Sequence, residues 1–344
     1  MRALIVAALL AFLLPAASAL PEPEAQVWQN RTHPILIEGF GIDHVILAVR
    51  DLEAARIHFQ DRLGFKLPPS GVFGRHASGT KNASAYFANQ SYLEILAVAE
   101  PDKVKQNKPS VLHFLDKGDG VIGFALSTSS AAKTADSLRN LRIPHKAPQP
   151  GTVERPGSKT PPKPKWLTVD PAPELKLPFF FIQYLDMDYG DIFHNWASGF
   201  AEAASSNYYA QPNTATGLSA IWVVVPAVDE ALEAYVSILS SPGSRVQLSE
   251  IGAEGFVFTA VRQRVYLLQP TSSSGPAADF VASRGSGVMG MSIAVKSLET
   301  AASLLTLGNV KIDSARRGLM TSTGLVVPPS EALGVWIEFH EACK

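Results

Sequence analysis

The chain has 344 residues, of which 46% are hydrophobic and 18% are charged, and its formal net charge at pH 7 is −1. A chain of this length and composition can bury sizeable cores, and its length suggests two domains. The basic residues are dispersed and form no stripe, which argues against nucleic acid as a partner. Cys343 is the only cysteine, so no disulfide can form within the chain.

Residues 1–19 have the pattern of a secretory signal peptide. Arg2 supplies a positive charge, the apolar stretch 3–14 falls short of the ~20 residues that span a bilayer, and Ala17-Ser18-Ala19 is a small-x-small cleavage sequence. We therefore expect cleavage rather than an uncleaved anchor helix, a mature chain that begins at Leu20, and secretion without membrane attachment. Sequons that fit a secreted glycoprotein begin at Asn30, Asn82 and Asn89.

The stretch Gly41–Phe65 predicts a buried strand followed directly by a helix. Residues Ile42–Val49 are almost all apolar, which is typical of a strand covered on both faces. Asp51 is a good helix N-cap, because its carboxylate can accept hydrogen bonds from the free N–H groups of the first turn. Apolar residues then recur at spacings of three and four, and Gly64 suits the end of a helix because it tolerates a positive φ.

The same strand–helix design recurs downstream, with openings at Gly120, Gly217 and Val288. The segment LAVRDLEAA, which begins at Leu47, aligns with IAVKSLETA, which begins at Ile293. With the strands that follow, each unit reads as βαβββ. Four such units that pair two by two predict two domains built from a tandem repeat.

The predicted boundaries follow shifts in composition along the chain. We expect a signal peptide, an N-terminal arm, a first domain of two βαβββ modules, a linker and a second, divergent domain, at residues 1–19, 20–39, 40–185, 186–216 and 217–344. Within the first domain, residues 144–178 form a proline-rich insertion of irregular structure. The linker lacks the periodicity of the units on either side, so it is the candidate domain boundary.

Three short motifs mark the first unit. They are Ile42-Asp43-His44-Val45, an HxxGTxN stretch that starts at His76, and Tyr92-Leu93-Glu94. Together with the βαβββ unit they resemble the vicinal oxygen chelate superfamily, which includes glyoxalase I, extradiol dioxygenases and bleomycin-resistance proteins, and within it the glyoxalase-like domain subgroup. The resemblance implies an α+β fold in which tandem βαβββ modules form two cupped mixed-sheet barrels. It is strongest over Gly41–Val98 and weakest in the second half of the chain.

In that superfamily two modules surround one metal ion, and each module offers a ligand from its first strand and another from its last. The resemblance therefore places metal ligands at His44, Glu94 and Gln183, with Gly123 at a position that cannot ligate. Imidazole and carboxylate suit a divalent metal with open positions, and the implied cofactor is Zn, Ni, Mn or Fe. Glu94 is also the expected catalytic residue. The expected substrate contacts are His76, Thr80 and Asn82.

The second half of the chain offers fewer ligands at the corresponding positions. The first-strand positions fall on Ala220 and Gly290, and the closing positions fall on Gln269 and Glu338. One carboxylate and one amide are too few to predict a metal site there.

Each candidate ligand also has a purely structural interpretation. His44 can be a buried histidine bonded to the backbone, and Glu94 can be a carboxylate held by a neighbouring lysine or arginine. Glu94 lies within an apolar strand, however, where an unpaired charge is costly. Gln183 can simply line the core.

Two functions from different classes stay open. One is a metal-dependent lyase, isomerase or dioxygenase that acts on a small carbonyl or vicinal-oxygen compound. The other is a binding protein that sequesters a small molecule in the same cup without chemistry. For both, the expected partner is a small molecule rather than nucleic acid or a membrane, and the chain is a monomer or a dimer. A third interpretation is that side chains fill both cups.

Overall fold

The computed structural model describes residues 35–36, 39–69, 74–153, 163–186, 209–313 and 317–341. The predicted signal peptide and most of the predicted linker lie outside these ranges, so cleavage, secretion and the linker stay predictions. From Thr32 onward the chain forms one compact unit. None of the helices that the structure describes is long and apolar enough to cross a membrane.

The first half of the chain forms an eight-stranded mixed sheet with the strand order β2-β3-β4-β1-β5-β8-β7-β6. Its strands are β1 Ile42–Val49, β2 Gly74–Arg75, β3 Thr80–Tyr86, β4 Tyr92–Val98, β5 Gly120–Ser127, β6 Gln149–Gly151, β7 Trp166–Val169 and β8 Phe179–Tyr184. Its helices are α1 Leu52–Asp61, α2 Pro101–Asn107, α3 Pro109–Asp116 and α4 Ala131–Asn140, with a 3₁₀ turn at Pro173–Leu175. Each module closes with a strand parallel to its opening strand, β4 beside β1 and β8 beside β5.

The second half forms a seven-stranded sheet with the order β10-β11-β12-β9-β13-β15-β14. Its strands are β9 Ala215–Val224, β10 Ser244–Leu248, β11 Ala253–Ala260, β12 Gln263–Pro270, β13 Gly287–Val295, β14 Leu325–Val327 and β15 Trp336–Glu341. Its helices are α5 Asp229–Ile238, α6 Pro276–Arg284 and α7 Leu298–Leu307, with 3₁₀ turns at Ser249–Ile251 and Pro329–Glu331. The predicted pairing of modules two by two, and the α+β fold of tandem βαβββ modules, are therefore confirmed.

Local sequence explains why the first module begins as it does. The observed strand β1 has the predicted bounds, and its side chains are almost all buried. Asp51 caps α1 as predicted, since its Oδ1 accepts hydrogen bonds from the N–H groups of Glu53 and Ala54 at 3.0 and 3.1 Å. This bonding satisfies two of the donors that the first helical turn leaves free.

Side chains from both sheets pack into one hydrophobic core. The rings of Phe65 and Phe339, from opposite halves of the chain, lie with their centroids 6.0 Å apart. The buried amide of Gln263 also bonds to the backbone N–H and C=O of Ile42, each at 3.2 Å. The start of β12 is thus tied to the start of β1, the strand that carries His44.

A β-bulge interrupts the opening strand of each sheet just before its first-strand ligand position. In β1, Ile42 pairs with Leu126 and His44 pairs with Ala125, which leaves Asp43 as the extra residue. In a bulge two residues oppose one on the neighbouring strand, so a side chain is re-aimed. Asp43 is re-aimed towards the face of the sheet that carries His44, where the two side chains touch.

In the second sheet the extra residue is Ser219, between the paired residues Leu218 and Ala220 of β9. We call the face of the first sheet that carries His44, Tyr92 and Phe180 the first cup. The face of the second sheet that carries Ala220 and Trp222 is the second cup.

Candidate functional site

His44 lies at the centre of the first cup and is only 3% exposed. Its Nδ1 is 2.6 Å from Oδ1 of Asp43, and its Nε2 is 3.6 Å from Oε2 of Glu94. The ring of Tyr92 stacks on the imidazole with a centroid distance of 4.5 Å, and Phe180 meets it edge-on at 5.8 Å. The imidazole is therefore held between two carboxylates and two aromatic rings.

Asp43 fixes the orientation of that imidazole. Its Oδ1 accepts a hydrogen bond from the Tyr184 hydroxyl at 2.9 Å, and the Tyr92 hydroxyl lies 3.0 Å from the Tyr184 hydroxyl. Burial, reinforced by the charge of Asp43, raises the pKa of both tyrosines well above the usual value, so both stay protonated donors. Asp43 itself is fully buried, and its second oxygen, Oδ2, has no hydrogen-bond partner in the described structure.

Glu94 faces His44 from the closing strand of the same module. It is 6% exposed, and its Oε1 accepts a hydrogen bond from the side-chain amide of Asn82 at 2.8 Å. Nε2 of His76 lies 4.0 Å from the same oxygen. Burial lowers the pKa of His76, while the charge of Glu94 partly opposes that shift. At neutral pH His76 is therefore an uncharged ring beside the carboxylate.

The three predicted substrate contacts have different places. Asn82 and His76 both reach Glu94, as described above. Thr80 is buried, and its Oγ1 lies 2.9 Å from His76 Nδ1 and 3.2 Å from Ser78 Oγ. The HxxGTxN stretch thus brings His76 and Asn82 to the carboxylate, and Thr80 holds His76 in place.

The prediction that Gln183 is a metal ligand is wrong. The residues on either side of it, Ile182 and Tyr184, belong to the apolar cluster of the first cup. Because side chains alternate along a strand, Gln183 points to the opposite face. There its Oε1 accepts a hydrogen bond at 2.9 Å from the N–H of Ala131, the first residue of α4.

The same helix-capping bond recurs in the third and fourth modules. Its position shows how the closing strands of the four modules align with one another. Oε1 of Gln269 accepts from the N–H of Val228 at 2.8 Å, next to α5, and Oε1 of Glu341 accepts from the N–H of Leu298 at 3.2 Å, at the start of α7. In the first module the cap position falls on Ala97, which pairs with Val49 as Glu341 pairs with Val295.

Glu94 lies three residues before that cap position in the first module. The residues three before the cap in the other modules are Phe180, Tyr266 and Glu338. The counterpart of Glu94 in the second module is therefore Phe180 rather than Gln183, and Tyr266 rather than Gln269 in the third.

The residues present do not fit the divalent metal that the resemblance implies. In the second module the positions that correspond to His44 and Glu94 carry Gly123 and Phe180. Neither side chain has an atom that can bind a metal ion. A larger side chain at Gly123 is excluded, because its Cβ would come within 2.8 Å of the carbonyl oxygen of Pro178. In the part of the chain that the structure describes, no three His, Cys, Asp or Glu side chains converge on a position for a metal ion.

The second cup is filled by its own side chains. Large residues pack there into a separate apolar core that includes Trp222, Tyr266, Leu268, Met289, Val326 and Trp336. Glu338 is fully buried among them, and its carboxylate accepts from Ser292 Oγ at 2.7 Å and from the N–H groups of Met320 and Thr321 at 2.9 and 3.4 Å. Trp222 Nε1 donates in turn to Ser292 Oγ at 2.9 Å. This carboxylate is fully used in holding the fold.

The structure adds site residues that sequence reasoning missed. Asp43 and Tyr184 complete the hydrogen bonding around His44, and Phe180 forms one wall. One feature of the sequence pointed to Asp43, namely a carboxylate inside an otherwise apolar strand, where burial requires a partner. Its direction depends on the bulge, which no local pattern marks.

Comparison with known proteins gives the family and the fold. Residues 42–239, more than half of the chain, match the model of the glyoxalase-like domain. A search of curated protein sequences found no match. Among solved structures the chain is similar to a hypothetical protein from Staphylococcus aureus, with 12% identity and a TM-score of 0.57, covering 88% of this chain and 99% of that one.

A second similar structure is a mutant of 4-hydroxymandelate synthase from Streptomyces coelicolor. It has 15% identity and a TM-score of 0.57, and the alignment covers 88% of this chain and 92% of that one. At these identities the likeness shows the shared fold alone.

Proposed function

Because the chain belongs to the glyoxalase-like domain family, we propose that its first cup binds a small organic molecule and transfers a proton to or from it. The proposed substrate class is a small carbonyl or vicinal-oxygen compound. The observation that carries the proposal is the buried pair formed by His44 and Glu94, whose Nε2 and Oε2 face each other at 3.6 Å. That distance is too long for a direct hydrogen bond, and among the described residues neither atom forms another hydrogen bond, so each can meet a ligand.

The neighbours of His44 determine which of its nitrogens can react. An ionised carboxylate only accepts hydrogen bonds, so Asp43 requires a proton on His44 Nδ1. In the neutral ring Nε2 then carries a lone pair that is directed towards Glu94. Tyr184 donates to Asp43, and Tyr92 can therefore donate to Tyr184. This chain of donors holds one tautomer of His44 in one orientation.

Glu94 is the better placed of the two to remove a proton from a bound molecule. Asn82 holds Oε1 and leaves Oε2 directed at His44. A proton that Glu94 takes from one atom of the substrate passes from Oε2 to the lone pair of His44 Nε2, and the imidazolium so formed, which Asp43 faces, delivers that proton to a neighbouring atom. Such a transfer between neighbouring atoms is the step that enolisation of a carbonyl compound needs.

A non-catalytic binding protein is the second candidate. It is supported by Gly123 and Phe180 at the positions where the superfamily places further ligands. Divalent metals are common in that superfamily, but the residues of this cup do not fit one. Binding without chemistry requires only the walls and the polar groups already described.

Exchange of carbon-bound hydrogen separates these two candidates. Chelator-treated protein in D₂O is incubated with a panel of small α-hydroxy ketones and aldehydes, and NMR follows loss of the α-proton signal. We expect exchange with at least one compound, and a loss of about 100-fold or more in Glu94→Gln, which matches the usual contribution of a general base. The control is Gln183→Ala, which should exchange at the wild-type rate.

No exchange with any compound, or full exchange in Glu94→Gln, contradicts proton transfer. Saturable binding of a panel compound without exchange favours the binding protein instead.

A further inference from the structure

We propose that the molecule bound in the first cup carries a positively charged nitrogen, as a primary or substituted ammonium group on an organic frame. The inference rests on the proposed function, because it specifies the class of molecule that the same cup accepts. It follows from the balance of buried charge and from the chemistry of the walls.

Among the described residues, the first cup buries two carboxylates beside two imidazoles and no fixed positive charge. Asp43 and Glu94 are 0% and 6% exposed, and their ion-pairing partners within 4.0 Å in the described structure are His44 and His76. Glu94 faces both imidazoles, at 3.6 and 4.0 Å, whereas of the two imidazoles Asp43 contacts only that of His44, and only through Oδ1. A permanent positive charge beside these carboxylates is therefore missing.

Lysine and arginine side chains do not supply that missing charge. Lys108 is close enough to affect the pKa of His76, but it is exposed and forms no ion pair with either carboxylate among the described contacts. An unbalanced charge is costly when it is buried. The free Oδ2 of Asp43 also lacks a hydrogen-bond donor. A bound cation with N–H groups would supply both the charge and the donor.

The walls of the cup favour an organic cation over a metal ion. The apolar cluster around His44 contains the aromatic residues Phe40, Tyr86, Tyr92, Trp166, Phe180 and Tyr184. Aromatic faces attract ammonium groups through the negative charge of the ring face. A divalent metal requires several oxygen or nitrogen ligands at short distance, and the described residues bring no three of them together. An anionic ligand would meet two carboxylates and is excluded by charge.

Three compounds that share one frame test this inference. They are 2-phenylethylamine, 2-phenylethanol and 3-phenylpropionate, which are cationic, neutral and anionic at pH 7.5. Calorimetry on chelator-treated full-length protein should show the amine binding about tenfold tighter than the alcohol or more, and no binding of the carboxylate. The preference for the amine should disappear in Asp43→Asn and in Glu94→Gln. It should persist in Asp136→Asn, which removes a carboxylate that is 64% exposed on α4.

Circular dichroism checks that each variant is folded. The two cup variants are independent, so if one fails to fold, the other still tests the inference. Equal binding of the alcohol and the amine, tighter binding of the carboxylate, or no binding of any of the three overturns the inference. So does stoichiometric, tighter binding of Zn²⁺ or Mn²⁺ that displaces the amine.

The proton-exchange experiment and the binding experiment can fail independently, so their outcomes distinguish proton transfer from cation binding. Exchange without a preference for the amine leaves proton transfer standing and removes the cation. A preference for the amine without exchange supports the cation and contradicts proton transfer.

Discussion

Glu94 and Glu338 occupy the same position in their modules, the first and the fourth, yet their surroundings differ. Both are buried on the closing strand of a module. Glu338 accepts hydrogen bonds from one hydroxyl and two backbone N–H groups of its own chain. Among the described residues, Glu94 accepts one from Asn82 and faces two imidazoles that approach no nearer than 3.6 Å. A carboxylate whose oxygens are all bonded within the fold is structural, whereas an oxygen that the described residues leave unbonded can meet a ligand.

The opening strands differ in the same way. The bulge presents Asp43 and His44 in the first cup, and the corresponding residues of the second cup are Ser219 and Ala220. The second cup therefore lacks an imidazole at the position of His44. Its own buried histidine, His340, lies on β15 with Nε2 2.6 Å from Ser219 Oγ, and Trp222 and its neighbours pack together in the rest of the cup. The two cups share a backbone design, but among the described residues the first keeps a carboxylate oxygen, Oδ2 of Asp43, without a hydrogen-bond partner, whereas the second binds its carboxylate Glu338 with three donors.

Removing Glu338 should give the largest change in stability. Glu338→Ala leaves the hydroxyl of Ser292 and the N–H groups of Met320 and Thr321 without their acceptor. An unpaired buried donor costs about 1–3 kcal/mol, the two backbone N–H groups are only partly buried, and removal of a buried charge offsets part of the cost, so we expect a net loss of about 3 to 5 kcal/mol in the free energy of unfolding. Urea denaturation followed by circular dichroism measures it.

The matched variant Glu94→Ala should change stability by about 1 kcal/mol or less, because it removes a costly buried charge together with one hydrogen bond. Equal losses in the two variants would show that Glu94 is as structural as Glu338 and would remove the contrast between the cups.

Gln183→Ala should have an intermediate effect. It removes the bond to the N–H of Ala131 at the start of α4, and we expect a loss of about 1 kcal/mol. Gln269→Ala, which removes the equivalent bond to Val228, should lose a similar amount. Neither variant should change ligand binding in the first cup. A loss of ligand binding in Gln183→Ala without a loss of stability would show that Gln183 does contribute to the site.

The pH dependence of stability should give the smallest effect. The folded protein lowers the pKa of His76 below its ordinary value of 6.5, so the unfolded state binds more protons just below that pH. The stabilisation is present above pH 6.5 and is lost as the pH falls through this value. Unfolding free energies measured from pH 8 to pH 5 should therefore fall less steeply in His76→Gln than in the wild type. Identical slopes would contradict a lowered pKa at His76.

The fold was largely predictable from the sequence because its determinants are local. Continuous apolar strands and the repeated strand–helix spacing define each module, the cap at Asp51 marks the first helix, and the bounds of β1 agree with the prediction. The common core and the bonds of Gln263 to Ile42 were not predictable, since they join residues far apart in the chain. The predicted domain boundary stays a prediction.

The site was only partly predictable, for two physical reasons. The sequence predicted one shared site for His44, Glu94, His76 and Asn82 because each belongs to a motif within one module, and the structure brings their side chains together. The prediction that Gln183 is a metal ligand was wrong because a polar residue near the end of a strand can cap the neighbouring helix as readily as face the cup. Asp43 was missed because a bulge, not the alternation of the strand, sets its direction.

Crystallographic soaking with a library of small organic fragments tests the contrast between the cups most directly, because it assumes no particular ligand. We expect fragments bound beside His44, Glu94 and Phe180, with cationic fragments over-represented, and none between Trp222, Tyr266 and Trp336 in the second cup. Fragments that occupy the second cup while the first stays empty would contradict it.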